Sequence, residues 1–342
     1  MDEISSIKEI DLAVTYQCNG RCNFCHIWKS GDDYSLAPID IKKLPVDIKS
    51  VNITGGEPFL REDIVEVVRA VIRQCPKAKI TISTNGFSPS LIKKRLAEIM
   101  KTKRDIALAI SLDGFGKVHE ELKGVPGGFS LALETIRLSR ELGIRKIKIN
   151  FCLSDKNFKQ LKKIYRLSRE MGIDFCFSLL HDSRHYFKKV NNSISELSKI
   201  RREISWLIAE ELKEFSVKRW IRAYFAYGTL QYLKSGHRIL PDYSGRQTLF
   251  IDPFGDIYPS CVWDLKLGNL RQIKNWPKFS EKLENGILPP LAPANWIIST
   301  ANPAISKNFK KVFYWVLIKK LSCLKIGKYG FHKFETAFRR FN

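Results

Sequence analysis

Six short β-rich runs alternate with helix-length stretches between residues 9 and 180, and this alternation narrows the possible folds more than any other feature. Strands are expected at 9–15, 50–54, 79–84, 106–112, 146–152 and 174–180. Between them, Ile64, Val67, Val68, Val71 and Ile72 keep helical spacing on one face. Ser88-Pro89 marks a helix start, with proline in the first turn. A short repeat supports the same reading, because Leu138-Ser-Arg-Glu-Leu-Gly143-Ile144 returns as Leu167-Ser-Arg-Glu-Met-Gly172-Ile173. In both copies a helix is expected to end at the glycine, with the isoleucine opening the next strand. Repeated strand–helix units make a parallel sheet with right-handed crossovers. Six of them imply an α/β fold, an open, partial (β/α)6 barrel.

Parallel α/β folds place their chemistry on the loops that leave the C-terminal ends of strands. The first such loop carries Cys18-Asn-Gly-Arg-Cys22-Asn-Phe-Cys25. Three thiolates this close can hold three corners of a cubane iron–sulfur cluster and leave a fourth iron open. An open iron can take a small chelating molecule and pass it an electron. His26 follows directly, so a Cys3His zinc site is a second reading, although zinc ligands usually come as two separated pairs. Unligated thiols are a third.

Three more strand ends carry polar or glycine-rich tips: Gly55-Gly56-Glu57-Pro58, Ser83-Thr84-Asn85-Gly86 and Ser111-Leu112-Asp113-Gly114. Taken singly these are ordinary turn and cap residues. Together with the cysteine triplet, in this order, they make residues 8 to 180 resemble the radical S-adenosylmethionine (radical SAM) superfamily. The resemblance implies that Cys18, Cys22 and Cys25 bind a 4Fe–4S cluster whose open iron chelates the amino and carboxylate groups of S-adenosylmethionine. It implies that Gly55 and Gly56 admit the methionyl ammonium to the backbone, with Glu57 helping to hold it. Asn85, Ser111 and Asp113 would then contact the methionyl carboxylate or the ribose. The implied reaction is reductive cleavage to methionine and a 5′-deoxyadenosyl radical, which abstracts hydrogen from an unidentified substrate. A small flavodoxin- or ferredoxin-like protein would supply the electron.

The remaining sequence divides the chain into a barrel at 1–192, an extension at 193–303 and a basic tail at 304–342. With 342 residues and 44% hydrophobic content the chain can bury a large core. It shows no basic-then-apolar leader, which suggests a cytoplasmic protein. Cys75, Cys152 and Cys176 read as small core residues. His119, His181, His185 and Tyr186 follow strands and either face the substrate or simply pack. In the extension, helices are expected at Ser195 to Phe215 and Lys218 to Lys234. Pro253-Phe-Gly255-Asp256 suits a hairpin turn between Leu249–Ile251 and Ile257–Tyr258. This part resembles the SPASM or twitch extensions that bind auxiliary clusters in relatives. Cys261 stands one residue further on than their usual spacing, and 289–303 holds no cysteine, so a cluster-free remnant capping the barrel mouth is expected.

The formal net charge is +23. Residues 307–342 carry ten Lys or Arg against Glu335 alone, with Phe309, Val312, Phe313, Val316, Leu317, Leu321 and Leu324 marking an apolar helical face. The longest apolar run is far below the ~20 residues that span a bilayer. Three readings fit: a helix on an anionic membrane, which would place the protein peripherally on the inner face, an RNA-binding arm, or a helix packed on the body. The basic tail also admits a different class of function, a non-enzymatic iron–sulfur or zinc protein binding nucleic acid or membrane.

Overall fold

A computed structural model describes residues 7–31, 34–287 and 295–323. Six parallel strands follow one another across one sheet: β1 (Glu9–Ala13), β2 (Ser50–Thr54), β3 (Lys79–Thr84), β4 (Ile106–Ser111), β5 (Lys146–Leu153) and β6 (Asp174–Leu179). Helices α1 (Ile64–Gln74), α2 (Pro89–Met100), α3 (Lys117–Lys123), α4 (Gly128–Glu141) and α5 (Leu161–Glu170) form the crossovers. The sheet stays open at β6, so this is a partial barrel.

Each strand sorts its side chains by parity, as a pleat requires. On β5, Ile147, Ile149, Phe151 and Leu153 are buried, whereas Lys148, Asn150 and Cys152 are half-buried and line a central cavity. Cys176 and Ser178 of β6 line it as well. Cys152 and Cys176 are therefore lumen residues, not core ones; Cys75 is buried as expected. The repeat seen in the sequence is a repeated helix end. Gly143 and Gly172 adopt φ of 88° and 62°. Ile144 and Ile173 then donate to Ser139 and Ser168 carbonyls at 3.1 and 2.9 Å, the same left-handed cap twice.

The chain continues into an antiparallel pair, α6 (Leu197–Leu212) and α7 (Val217–Ser235). Buried Glu211 clamps the pair through Arg219 and Arg222, each at 2.9 Å. Next, β7 (Thr248–Ile251) pairs in parallel with β1, placing Leu12 beside Ile251. Strands β8 (Asp256–Tyr258) and β9 (Gly268–Asn269) extend the sheet antiparallel. The hairpin turns where expected, with Gly255 at φ 84° and Asp252 accepting the N–H groups of Phe254 and Asp256. The extension thus shares the barrel's sheet, running out on the β1 side.

Helices α8 (Trp276–Lys282), α9 (Ile298–Lys307) and α10 (Phe309–Cys323) complete the described chain. Among the described residues no helix is long and apolar enough to cross a membrane. Helix α10 packs on α7, with Val312 and Val316 buried while Phe309, Phe313 and Leu317 face outward. The expected single apolar face is therefore divided, and Leu324, with the rest of the tail to residue 342, lies outside the described residues. Just before α9, Trp296 stacks on Phe225 and donates to its carbonyl at 2.9 Å.

Gly228 makes room for Trp296, since a Cβ there would come within 2.2 Å of the indole ring. Gly228→Ala should overpack this joint and cost about 1–3 kcal/mol of stability. The check is a lowered denaturation midpoint in urea with an unchanged slope.

Candidate functional site

The loop after β1 is built by its neighbours. Gly56 and Glu57 donate backbone N–H groups to the carbonyls of Thr15 and Gln17, both at 2.8 Å. A Cβ on Gly55 or Gly56 would lie 2.3 or 2.2 Å from those same oxygens, and Gly55 has φ 137°. Both positions therefore need glycine for loop-on-loop packing. Further along, Arg21 and Asn23 donate to Lys123 and Leu122 carbonyls at the end of α3, at 2.7 and 3.2 Å.

Thus held, Cys18, Cys22 and Cys25 line one cavity of about 290 Å³ at the C-terminal mouth of the barrel. Gly20 N–H points at Cys18 Sγ at 3.4 Å and Asn85 Nδ2 at 3.7 Å. A Cβ on Gly20 would come within 3.5 and 3.7 Å of the Cys18 and Cys22 sulfurs, so those two thiols flank the same bare Cα. Burial pushes the Cys18 and Cys25 thiols up to about 12, and Cys22 adds to both. Burial also raises Cys22, against the pull of Lys123. These sulfurs become thiolates only when a cationic centre compensates them. Two N–H donors aimed at Cys18 and a shared cavity suit a cluster. His26 is absent from the cavity wall, so the zinc reading finds no fourth ligand in that residue there.

The structure sorts the remaining expected residues. Gly55, Gly56, Asn85, Ser111 and Asp113 all line the cavity, and Glu57 does not. The Glu57 carboxylate turns inward, accepting from Phe59 N at 3.1 Å, Thr84 Oγ1 at 2.9 Å and Asn85 N at 2.7 Å. Burial raises its pKa to about 7 despite these donors. Its geometry is that of a hub joining two loops, unlike the ammonium contact that the resemblance implied.

Asp113 is committed as well. It pairs with Lys123 at 2.6 Å, both buried, and accepts Cys152 N–H at 2.7 Å. Burial works against the Lys123 charge, but Asp113, Cys22 and Cys152 together more than offset it and keep the ammonium protonated. His119 lies behind the cavity wall, accepting Asp113 N–H at 3.0 Å. Burial, then Lys123, lowers its pKa to about 4, so it stays neutral. Tyr186 reaches the cavity and donates to the Gly55 carbonyl at 3.0 Å. His181 also lines it, but His185 stacks on Tyr258 outside. Cys261 packs beside Ala13, Tyr16 and Phe250, and burial raises its thiol.

Sequence reasoning passed over Asn52, Lys123, Lys148 and Asn150 on the cavity wall. For Lys148 and Asn150 the signal was present as polar residues at alternate positions in an apolar strand. Ser83, Asn52 and Asp11 form a hydrogen-bonded chain across the lumen floor, at 2.8 and 2.9 Å. A second cavity of about 180 Å³ opens between β6, α6, α7 and α9. It shares Lys148, Cys176, Phe177 and Ile298 with the first, so the two adjoin.

Comparison with known proteins agrees with this architecture. The chain is 31% identical over 176 residues to a protein described as probable GTP 3′,8-cyclase from Saccharolobus islandicus, covering 49% of this chain and 55% of that one. A protein of the same description from Sulfurisphaera tokodaii is 32% identical over 177 residues, covering 49% and 54%. The chain thus spans about half the length of the curated relatives it matches. Among solved structures, Streptococcus suis SuiB bound to S-adenosylmethionine superposes with a TM-score of 0.60 at 22% identity, covering 83% of this chain and 68% of that one. Native anSMEcpe with bound AdoMet and a Cp18Cys peptide gives 0.59 at 15% identity, covering 90% and 99%. Both show the shared fold. Residues 12–174 match the family model of the radical SAM superfamily.

Proposed function

We propose that this chain is a radical SAM enzyme, a cytoplasmic one, in which Cys18, Cys22 and Cys25 supply the protein ligands of the 4Fe–4S cluster the family uses. The observation that carries the reading is the convergence of all three thiols on one cavity at the barrel mouth, beside Gly55, Gly56 and Asn85. When bound, the cluster supplies the electron that cleaves S-adenosylmethionine to methionine and a 5′-deoxyadenosyl radical, which takes hydrogen from the substrate.

The chain's own residues bind, orient and shield. The backbone at Gly55 and Gly56 offers close approach to the methionyl group, and Ser111 and Asn85 offer polar contacts beside it. Lys123 puts a buried positive charge near Cys22, stabilising thiolate there. Phe24, Ile27, Phe151 and Phe187 wall the cavity and limit water around a reactive intermediate. The unidentified substrate enters the polar lumen beyond, where Lys148 makes no hydrogen bond or ion pair among the described residues. A small flavodoxin- or ferredoxin-like donor is the proposed reductant. We read the C-terminal segment as binding an anionic surface, lipid or RNA.

Three outcomes test this. Anaerobic reconstitution should load about four irons per chain, and replacing any of Cys18, Cys22 or Cys25 by Ala should abolish both the broad visible absorption and 5′-deoxyadenosine release. A reproducible value near eight irons would instead make Cys261 a ligand of a second cluster.

Gly56→Ala removes no ligand, yet should displace the cysteine loop through its clash with Gln17. Iron retention after gel filtration should fall well below wild type, with the cysteines intact; full retention would refute the loop clasp.

Glu57 provides a pH test. Its folded-state pKa of about 7 lies above the ordinary 4.5, so between these values the native state binds a proton that the unfolded chain has released. Stability should therefore decline as pH rises through that window. Glu57→Gln should flatten this slope in denaturant titrations run across it.

A further inference from the structure

The turn joining α6 to α7 and the outer ridge of α10 expose large apolar side chains together. Phe215 is 87% exposed, Val217 51%, Phe313 47%, Phe309 38% and Leu317 37%. On α10 the exposed residues stand four apart, forming one ridge, while Val312 and Val316 are buried, Val316 beside Leu212 and Ala223. Ring contacts join the two parts: Phe215 meets Trp220 at 6.2 Å, and Trp220 meets Phe313 at 6.0 Å. The ammonium of Lys320 lies over Phe215 at 3.8 Å and over Trp220 at 5.6 Å. Exposed Lys310 and Lys311 flank these residues in the chain, as do Lys213 and Lys218, which pair with Glu210 and Asp174. The nearby acids are engaged: Glu210 with Lys213 at 2.6 Å, and Glu214 with Arg169 at 2.9 Å and with Arg219. From the end of α10 the chain runs on with Lys325, Lys328, Lys333, Arg339 and Arg340 against Glu335.

We propose that this composite face docks on an anionic lipid bilayer, with Phe215, Phe313 and Leu317 entering the headgroup region and the lysines meeting lipid phosphates. The proposal rests on the reading of the C-terminal segment as binding an anionic surface, and assigns both its partner and its apolar anchor. Aromatic and aliphatic side chains ringed by lysine are the composition that partitions into a charged interface. Nucleic acid fits less well. Lys320 covers one face of Phe215 and also lies over Trp220, which leaves less open aromatic surface for bases, and Val217 and Leu317 gain nothing from phosphate. A second copy fits less well too, since a two-fold contact would bring two copies of the same lysine-rich patch together.

The test is sedimentation of the full-length holoenzyme with vesicles of equal parts phosphatidylglycerol and phosphatidylcholine, against phosphatidylcholine alone. Wild type should bind the anionic vesicles and release from them as salt rises, because that contact is screened. Phe215→Ser with Phe313→Ser should bind about tenfold more weakly. Its unfolding midpoint and 5′-deoxyadenosine release should match wild type, since both side chains are exposed and distant in sequence from the cysteine loop. Equal binding by this double variant would overturn the proposal, as would a wild-type dimer that the double variant dissolves. A full-length variant with Lys325, Lys328, Lys333, Arg339 and Arg340 all changed to Gln separates the two layers. If it alone loses vesicle binding, the tail reading stands and the composite face falls. If wild type is retained by RNA but not by vesicles, the lipid assignment falls. If it binds neither, the anionic-surface reading falls with it.

Discussion

The barrel mouth depends on a contact between two loops that only glycine permits. The carbonyls of Thr15 and Gln17 lie so close to Gly55 and Gly56 that a methyl group on either would overlap them. Two hydrogen bonds continue the β1–β2 ladder past the strand ends and fix the chain that leads into Cys18. Glu57 extends this clasp sideways. Its own N–H belongs to the clasp, and its carboxylate reaches Thr84 and Asn85 beyond β3. Asn85 in turn reaches Asn19 and Cys18 Sγ. Three strand ends thereby act as one hydrogen-bonded unit, and Tyr186, from beyond β6, closes it by bonding Gly55 O and Thr54 Oγ1.

A second clasp of the same kind holds Cys22. Gly124 ends α3 at φ 62°, and a Cβ there would come 2.8 Å from the Arg21 carbonyl. Lys123, the residue before it, accepts Arg21 N–H through its carbonyl and sends its side chain to Asp113. A buried ion pair is stabilising only when its remaining valences are met. Cys152 N–H satisfies one Asp113 oxygen and Asn157 takes the Asp113 carbonyl at 2.8 Å, so β4, β5 and α3 share one polar network. The backbone that positions a thiol and the charge that stabilises its ionised form thus come from the same short helix.

Strand succession, the repeated helix end and the hairpin at Gly255 were legible because each is written in neighbouring residues. The site was legible to the extent that strand-end motifs mark it. What those motifs do was less so. Gly-Gly-Glu reads equally as a ligand cradle and as a loop clasp, and only the distances to Thr15, Gln17, Thr84 and Asn85 separate these. Cys152 and Cys176 were assigned to the core because free cysteine is usually buried, although both share the parity of Lys148, Asn150 and Ser178. Parity was the better guide, since one face of each strand must line the lumen. The parallel pairing of β7 with β1 joins residues more than 230 positions apart and leaves no local trace. Nor does a run of proline and alanine announce that Trp296 will fill the space left by Gly228.

The last helix shows why an apolar arc in a sequence does not name its partner. Residues 309, 312, 313, 316 and 317 are neighbours on a helical surface, so the sequence presents them as one face. The surface of α7 and the end of α6 accommodate only part of that width. Val312 and Val316 descend into it, with Trp315 stacked on Tyr227 at 4.8 Å, and there the packing surface ends. The rest of the arc emerges beside Phe215 and Trp220, where it continues an apolar strip begun by another part of the chain. A helix needing only to cap the body would have carried polar residues at 313 and 317, since these add nothing to the buried seam. Their apolar character, matched by that of the adjoining turn, is the property that the body's own packing leaves unexplained and a charged interface would use.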